Sequence, residues 1–199
     1  MYAIYFLTFG IKIQTMVLDF KNFPQLKTER LWLRSIQNTD TALIHKLRSD
    51  ETANKFVGRD NSSTLEKAQE YIIKIKDLTE KNECMYWIIS LKEDNEGIGS
   101  VCLWNFDYEN EIVEIGYEML TEFQGRGIMT EAIKKVIEYA FTVLKARIIT
   151  AFPSSDNSNS VAILEKLNFE TDQNTYTNTH QSVENLVTYT LRHYDKPEK

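Results

Sequence analysis

Residues 85–144 constrain the fold of this chain more than any other stretch. Residues 85–91 (MYWIISL) are aromatic and β-branched, 98–106 (IGSVCLWNF) form a second such run, and 111–120 (EIVEIGYEML) a third. The turn-formers at 93–97 (EDNEG) and 107–110 separate them. Three strands joined by short turns make an antiparallel meander. Residues 127–144 then read as the best helix in the chain, with Ile128, Ala132, Ile133, Val136, Ile137, Ala140, Phe141 and Leu144 on one face. A meander followed by a long amphipathic helix requires helices packed on a sheet.

The rest of the chain extends this pattern. Residues 28–36 (TERLWLRSI) alternate Leu31, Leu33 and Ile36 with charged residues, as a strand does. Asn38, Thr39 and Asp40 offer caps for a short helix through Leu47. A second helix starts near Ser63 or Thr64, with Leu65, Ala68, Tyr71, Ile72, Ile75 and Leu78 at helical spacing. Residues 147–152 (RIITAF) form a short buried strand, and 157–167 a helix with Asn168 in its left-handed cap. Strands from Phe169 and over 185–193 close the chain. The order is βαα-βββ-α-β-α-ββ, a mixed α/β (α+β) domain around one sheet.

No repeat or linker divides the 199 residues, so 21–199 is expected to be one domain, with 1–20 as an N-terminal extension of uncertain structure. Residues 1–10 are apolar and uncharged, yet too short to span a bilayer and without the basic start of a signal peptide. Met16 could serve as an alternative start; otherwise the segment could pack as an extra strand or helix.

A formal net charge of −6 disfavours nonspecific nucleic-acid binding and mildly favours a cationic substrate such as an amine. Cys84 and Cys102 are too few and too far apart for a disulfide framework or a zinc site. They read as reduced thiols in the cytoplasm, and no metal is expected. His45, His180 and His193 show neither triad nor ligand spacing and read as structural or exposed. Trp32, Trp87 and Trp104 read as core or cleft wall, and Glu118 as a surface or rim residue.

Chemistry concentrates where the third meander strand meets the long helix. The chain leaves Leu120, crosses Thr121, Glu122 and Phe123, and enters the helix through Gln124-Gly125-Arg126-Gly127-Ile128-Met129. A helix start carries unpaired amides and partial positive charge, and glycines let a phosphate approach them. Arg126 adds a full charge. No Lys-Ser/Thr pair follows, so this is not a P-loop, and the three-glycine spacing of a dinucleotide site is missing.

Residues 26–191 resemble the GNAT acetyltransferases, and most closely the branch that acetylates ribosomal-protein N-termini at serine or alanine. Gln124 to Met129 is similar to the family's pyrophosphate segment, with Met129 in place of a small residue; Thr130-Glu131-Ala132 also matches the branch. So do Leu26-Lys27-Thr28-Glu29-Arg30-Leu31, Glu114-Ile115-Gly116-Tyr117, and Asn157 and Ser160 ahead of Leu164-Glu165-Lys166-Leu167-Asn168-Phe169. The resemblance implies a GNAT acyl-CoA N-acyltransferase fold: a mixed, mostly antiparallel sheet of about seven strands flanked by about four helices.

It also implies roles. Acetyl-CoA would be the co-substrate and an amine, at a protein N-terminus or on a small molecule, the acceptor. The Glu114 strand would splay from its neighbour and offer the backbone of Met119, Leu120 and Thr121 to pantetheine. Gln124, Gly125, Arg126, Gly127, Ile128, Met129 and Thr130 would hold the pyrophosphate. Glu114 would accept the amine proton, and Ser160 would serve the leaving thiolate, with Asn157 ordering its loop. Glu114 could instead be a solvated strand residue, and Asn157 and Ser160 simple helix caps. Residues 41–81 are expected to line the acceptor cleft, and the last strands could pair across a homodimer. The rivals are a non-catalytic acyl-CoA-binding module and a different nucleotide-binding protein.

Overall fold

The meander forms the middle of the sheet. A computed structural model describes Met16, Phe20 and residues 22–57, 64–93, 96–180 and 182–193. Its elements are β1 (Leu26–Lys27), β2 (Leu31–Ser35), α1 (Thr41–Ser49), α2 (Glu51–Val57), α3 (Leu65–Glu80), β3 (Cys84–Leu91), β4 (Gly97–Asp107) and β5 (Ile112–Met119), followed by α4 (Ile128–Thr142), β6 (Ile148–Ala151), α5 (Ser158–Lys166), β7 (Glu170–Thr171) and β8 (Tyr189–Arg192). The sheet order is β1-β2-β3-β4-β5-β6-β8-β7. Every pairing is antiparallel except β5 with β6. The mixed, mostly antiparallel sheet therefore has eight strands among the described residues.

Strand alternation sorts the meander onto two faces. Met85, Trp87 and Ile89 of β3, Val101 and Leu103 of β4, and Val113 and Ile115 of β5 pack with Ile133, Val136 and Ala140 of α4 in one core. Cys84, Tyr86 and Ile88 point the other way, against Ile44 and Leu47 of α1 and Ile72 and Ile75 of α3. Each fully buried aliphatic chain, such as Ile133 or Ile72, is worth roughly 1.5–3 kcal/mol of transfer free energy.

The central departure from a regular sheet lies beside β5. Its pairing with β4 runs to Met119 opposite Gly99. Its pairing with β6 covers only Ile112, Val113 and Glu114, opposite Ile148, Ile149 and Thr150. Beyond Glu114, no strand among the described residues pairs with that edge of β5, so the sheet forks there.

Three local differences from the sequence reading have clear causes. The strand expected from Thr28 starts at Leu31, because Thr28 closes a turn: its amide donates to the Leu31 carbonyl at 3.1 Å, and its hydroxyl accepts from the Leu31 amide at 3.0 Å. Residues 26–27 pair separately as β1. Asp40 directs its carboxylate at Arg34, with bonds of 2.9 and 2.8 Å, and accepts the Gln37 amide at 2.7 Å. Helix α2 was not foreseen, since its seven residues carry no apolar period.

The expected N-terminal extension lies outside the described residues except for Met16 and Phe20. Both are 4% exposed and belong to the α4-side core. The Phe20 amide donates to Asn82 Oδ1 at 3.0 Å. No helix among the described residues is long and apolar enough to cross a membrane.

Candidate active site

The glycine turn enters α4 through two left-handed residues, Gly125 at φ 73° and Gly127 at φ 72°. Side chains rarely adopt this region, and Gly127 is the N-cap itself. The first intrahelical donor is the Glu131 amide, to the Gly127 carbonyl at 3.1 Å. The amides of Ile128, Met129 and Thr130 therefore project from the helix end. Ile128 and Met129 bury their side chains in the α4-side core, 3% and 7% exposed. Met129 thus fits where the family has a small residue, because only its amide faces the loop. Arg126 is exposed, its guanidinium 5.5 Å from the centre of the Phe123 ring.

Two sequence segments of the family resemblance meet here. Glu131, in the first turn of α4, accepts from the Thr28 hydroxyl at 2.5 Å, the Arg30 amide at 3.1 Å and Arg30 Nε at 2.7 Å. Arg30 also reaches the Arg126 carbonyl at 3.2 Å. Burial raises the Glu131 pKa, but these hydrogen bonds and the Arg30 charge outweigh it and hold the carboxyl below its ordinary range. The turn before β2 thereby braces the glycine loop.

The end of β5 is partly self-satisfied. The Leu120 amide donates to Ile98 at 3.0 Å, and its carbonyl accepts from Phe123 at 3.0 Å. The Thr121 carbonyl accepts from Gln124 at 3.1 Å. Gln124 Nε2 donates to the Met119 carbonyl at 3.0 Å. Of these three residues, Met119 is the one whose carbonyl faces away from β4, into the fork.

Ser160 lies in the first turn of α5, where Asn157 is the N-cap and its Oδ1 accepts the Ser160 amide at 3.1 Å. The Ser160 hydroxyl is 2.9 Å from Tyr117 Oη, which β5 presents on the α4 side. Burial pushes the Tyr117 phenol up to about 12, so it stays protonated and can donate to Ser160. Ser160 can then donate onward to a third group. Tyr117 was outside the sequence-predicted site, although it stands within the matching Glu114 to Tyr117 segment.

Glu114 faces the α1–α3 side at the point of the fork and is 3% exposed. Its Oε1 lies 2.5 Å from His180 Nε2, and its Oε2 accepts from Asn105 Nδ2 at 3.2 Å. His180 comes from the β7–β8 connection, 66 residues along the chain. Read from sequence as structural or exposed, it stands against the candidate base instead. No local signal could have found it, since the pair forms only when that connection folds over β4 and β5. Trp104 meets the His180 ring edge-on at 5.7 Å, and the Phe152 ring, tilted by 36°, also lies 5.7 Å from it.

Further along the same face the sheet is polar. Tyr86 Oη donates to Ser100 Oγ at 2.8 Å and to Glu118 Oε1 at 3.3 Å. Tyr71 stacks edge-on against Tyr86, and Arg48 lies over the Tyr71 ring at 4.1 Å. Gly116 sits between, and a Cβ there would come within 3.1 Å of Cys102 Sγ. Burial pushes the Cys84 thiol up to about 12 and raises that of Cys102, and the two remain unbonded. Among the described residues no group of three or more His, Cys, Asp or Glu is placed to hold a metal ion.

The chain has counterparts among known proteins. The acetyltransferase (GNAT) domain model matches residues 30–170. An uncharacterized N-acetyltransferase of Bacillus licheniformis is 32% identical over 145 residues, covering 73% of this chain and 82% of its own. The structure of a ribosomal-protein-S5-alanine acetyltransferase from Vibrio fischeri superposes with a TM-score of 0.71 at 22% identity, over 87% of this chain and all of that one. A spermidine N-acetyltransferase from Vibrio cholerae, solved with CoA and spermine, gives 0.70 at 18% identity, over 83% and 96%. The chain belongs to the GNAT acetyltransferase family and is an acyltransferase.

Proposed function

We propose that the chain transfers the acetyl group of acetyl-CoA to a primary amine by direct attack in a ternary complex. The fork beyond Glu114, opening toward the α4 helix end, carries this reading. Pantetheine pairs along the free edge of β5, principally at Met119, with Gln124 releasing its carbonyl. Leu120 and Thr121 contribute less backbone, since the Leu120 amide and both of their carbonyls are engaged. The pyrophosphate rests on the amides of Gly125 to Thr130, with the Gln124 and Arg126 side chains beside it.

A protonated α-amine, with a pKa of roughly 8, must lose a proton before its lone pair can attack. Glu114 accounts for the removal of that proton, directly or through a group that it holds, while the Tyr117–Ser160 pair protonates the departing sulfur. Helices α1 and α3 wall the acceptor side. The two free thiols, Cys84 buried and Cys102 partly so, suit a reducing compartment, which we take to be the cytoplasm.

We read the acceptor first as a protein N-terminus, in line with the ribosomal-protein branch. A small polyamine is the second reading, favoured by Glu114 and Glu118 standing on one face of β5. A free-thiol release assay with acetyl-CoA separates them, offering Ser- and Ala-initiated peptides against spermidine. Faster turnover of peptides supports the first reading, and faster turnover of spermidine the second. Calorimetry in which ATP or NAD binds more tightly than acetyl-CoA would overturn both.

A further inference from the structure

Both oxygens of Glu114 are already held, Oε1 by His180 and Oε2 by Asn105. Glu114 is 3% exposed, whereas the His180 side chain is 22% exposed. The imidazole is therefore the more accessible member of the pair. An ionised carboxylate offers only lone pairs, so the short contact requires the ring proton on Nε2. That tautomer leaves the lone pair on Nδ1. It is the arrangement in which a carboxylate orients a histidine base.

The ring is fixed from several sides. Trp104 and Phe152 pack against it, and the His180 amide donates to Asn178 Oδ1 at 3.0 Å. Asn105 ties the same connection down through the Thr177 carbonyl at 2.7 Å. Asp172 anchors its start, accepting from Tyr176 Oη at 2.8 Å and Arg192 at 2.7 Å. Among the described residues, Glu114 from β5 is the charged group that meets the ring; Trp104 and Asn105 of β4 and Phe152 after β6 carry no charge.

We propose that His180 is the base that takes the proton from the acceptor amine, and that Glu114 is the positioning residue holding its imidazole. The proposal rests on the acetyl-transfer reading. The ammonium gives one proton to Nδ1, and the imidazolium is stabilised by Glu114. The freed lone pair forms the N–C bond to the acetyl carbonyl, and the C–S bond breaks with its electron pair on sulfur. A second amine proton ends on that sulfur, so CoA leaves as the thiol. His180 then returns its proton to water.

Two measurements test this. The chain has 3 histidines, so their ring nitrogens can be assigned by long-range nitrogen–proton NMR. His180 is expected as the Nε2–H tautomer in the wild type, and this preference should be lost in Glu114→Gln; an Nδ1–H ring would overturn the proposal without any turnover measurement. In thiol-release kinetics with spermidine and Ser- or Ala-initiated peptides, His180→Gln keeps a donor for Glu114 but has no base. It should lower kcat about 100-fold, flatten the acid limb of the pH profile, and leave acetyl-CoA affinity unchanged. The Glu114→Gln, His180→Gln double variant should be no worse than about threefold below either single one, because the two act as a unit. Wild-type kcat and pH profile in His180→Gln would return the base role to Glu114. Failure of wild-type protein to bind acetyl-CoA would sink the transfer reading instead, leaving the tautomer result to decide the pair.

Discussion

The two halves of the candidate site are built in opposite ways. The donor half is a continuous run from Met119 to Thr130, with its backbone shaped by Gly125 and Gly127 and braced by Thr28 and Arg30. The acceptor half is assembled from Asn105, Glu114, Phe152 and His180, which lie far apart in sequence and meet through side chains. A backbone site depends on conformation and should tolerate side-chain change, as at Met129, whose side chain is buried away from the loop. A side-chain site depends on the exact groups and on the packing that aims them.

The sharpest way to break this contrast is to strike each half alone. Glu114→Gln should lower kcat about 100-fold while acetyl-CoA binding by calorimetry stays within twofold of wild type. A parallel loss of acetyl-CoA affinity would mean that the halves are not separable. Gly127→Val is the mirror experiment. A β-branched residue at φ 72° costs on the order of 1–3 kcal/mol, so acetyl-CoA affinity should fall by about 5- to 150-fold. Retained affinity would show that the left-handed turn is dispensable for binding.

Glu131→Gln probes the brace and has a smaller expected effect. Losing charge-assisted bonds to Thr28 and Arg30 should cost about 1.5 kcal/mol of stability. The pH dependence has a definite sign. The folded pKa lies below the unfolded one, so the contribution is present above about pH 4.3 and is lost as pH falls through the folded value. Thermal melts of wild type should therefore decline more steeply below that pH than those of Glu131→Gln. Tyr117→Phe is expected to be mildest, lowering kcat a few-fold. Here the folded pKa, about 12, exceeds the unfolded value, so the contribution is present below about pH 10 and lost as pH rises toward 12. Equal alkaline melts for wild type and Tyr117→Phe would contradict this.

The same contrast explains what could be read before folding. The meander, α4 and the left-handed Asn168 cap follow from periodicity and turn chemistry within a few residues, and all are present. Thr64 caps α3 where the hydroxyl suggested, accepting the Lys67 amide. The eighth strand and α2 escaped because β1 has two residues and α2 lacks a period. In the site, Gln124 to Thr130 and Asn157 were legible as a loop and a cap. His180 and Asn105 were not, because their meaning lies in a fold-dependent encounter with Glu114. Nor was the engagement of the Leu120 amide by Ile98, since strand alternation predicts faces but not where a hydrogen-bond ladder stops.

The short contact between β5 and β6 has a mechanical consequence. Three residue pairs make up the strand ladder between a five-stranded panel, β1 to β5, and a three-stranded one, β6 to β8, and the Arg147 amide on the Glu111 carbonyl extends that seam at one end only. A molecule lying along the free edge of β5 acts as a temporary extra strand and lengthens that seam. Filling the fork should therefore stiffen the joint between the panels, slowing amide exchange at Ile115, Tyr117 and Met119 more than within the already paired meander. The donor would then serve as a splint as well as a reagent, setting the spacing between the panel that carries Glu114 and the one whose connection carries His180.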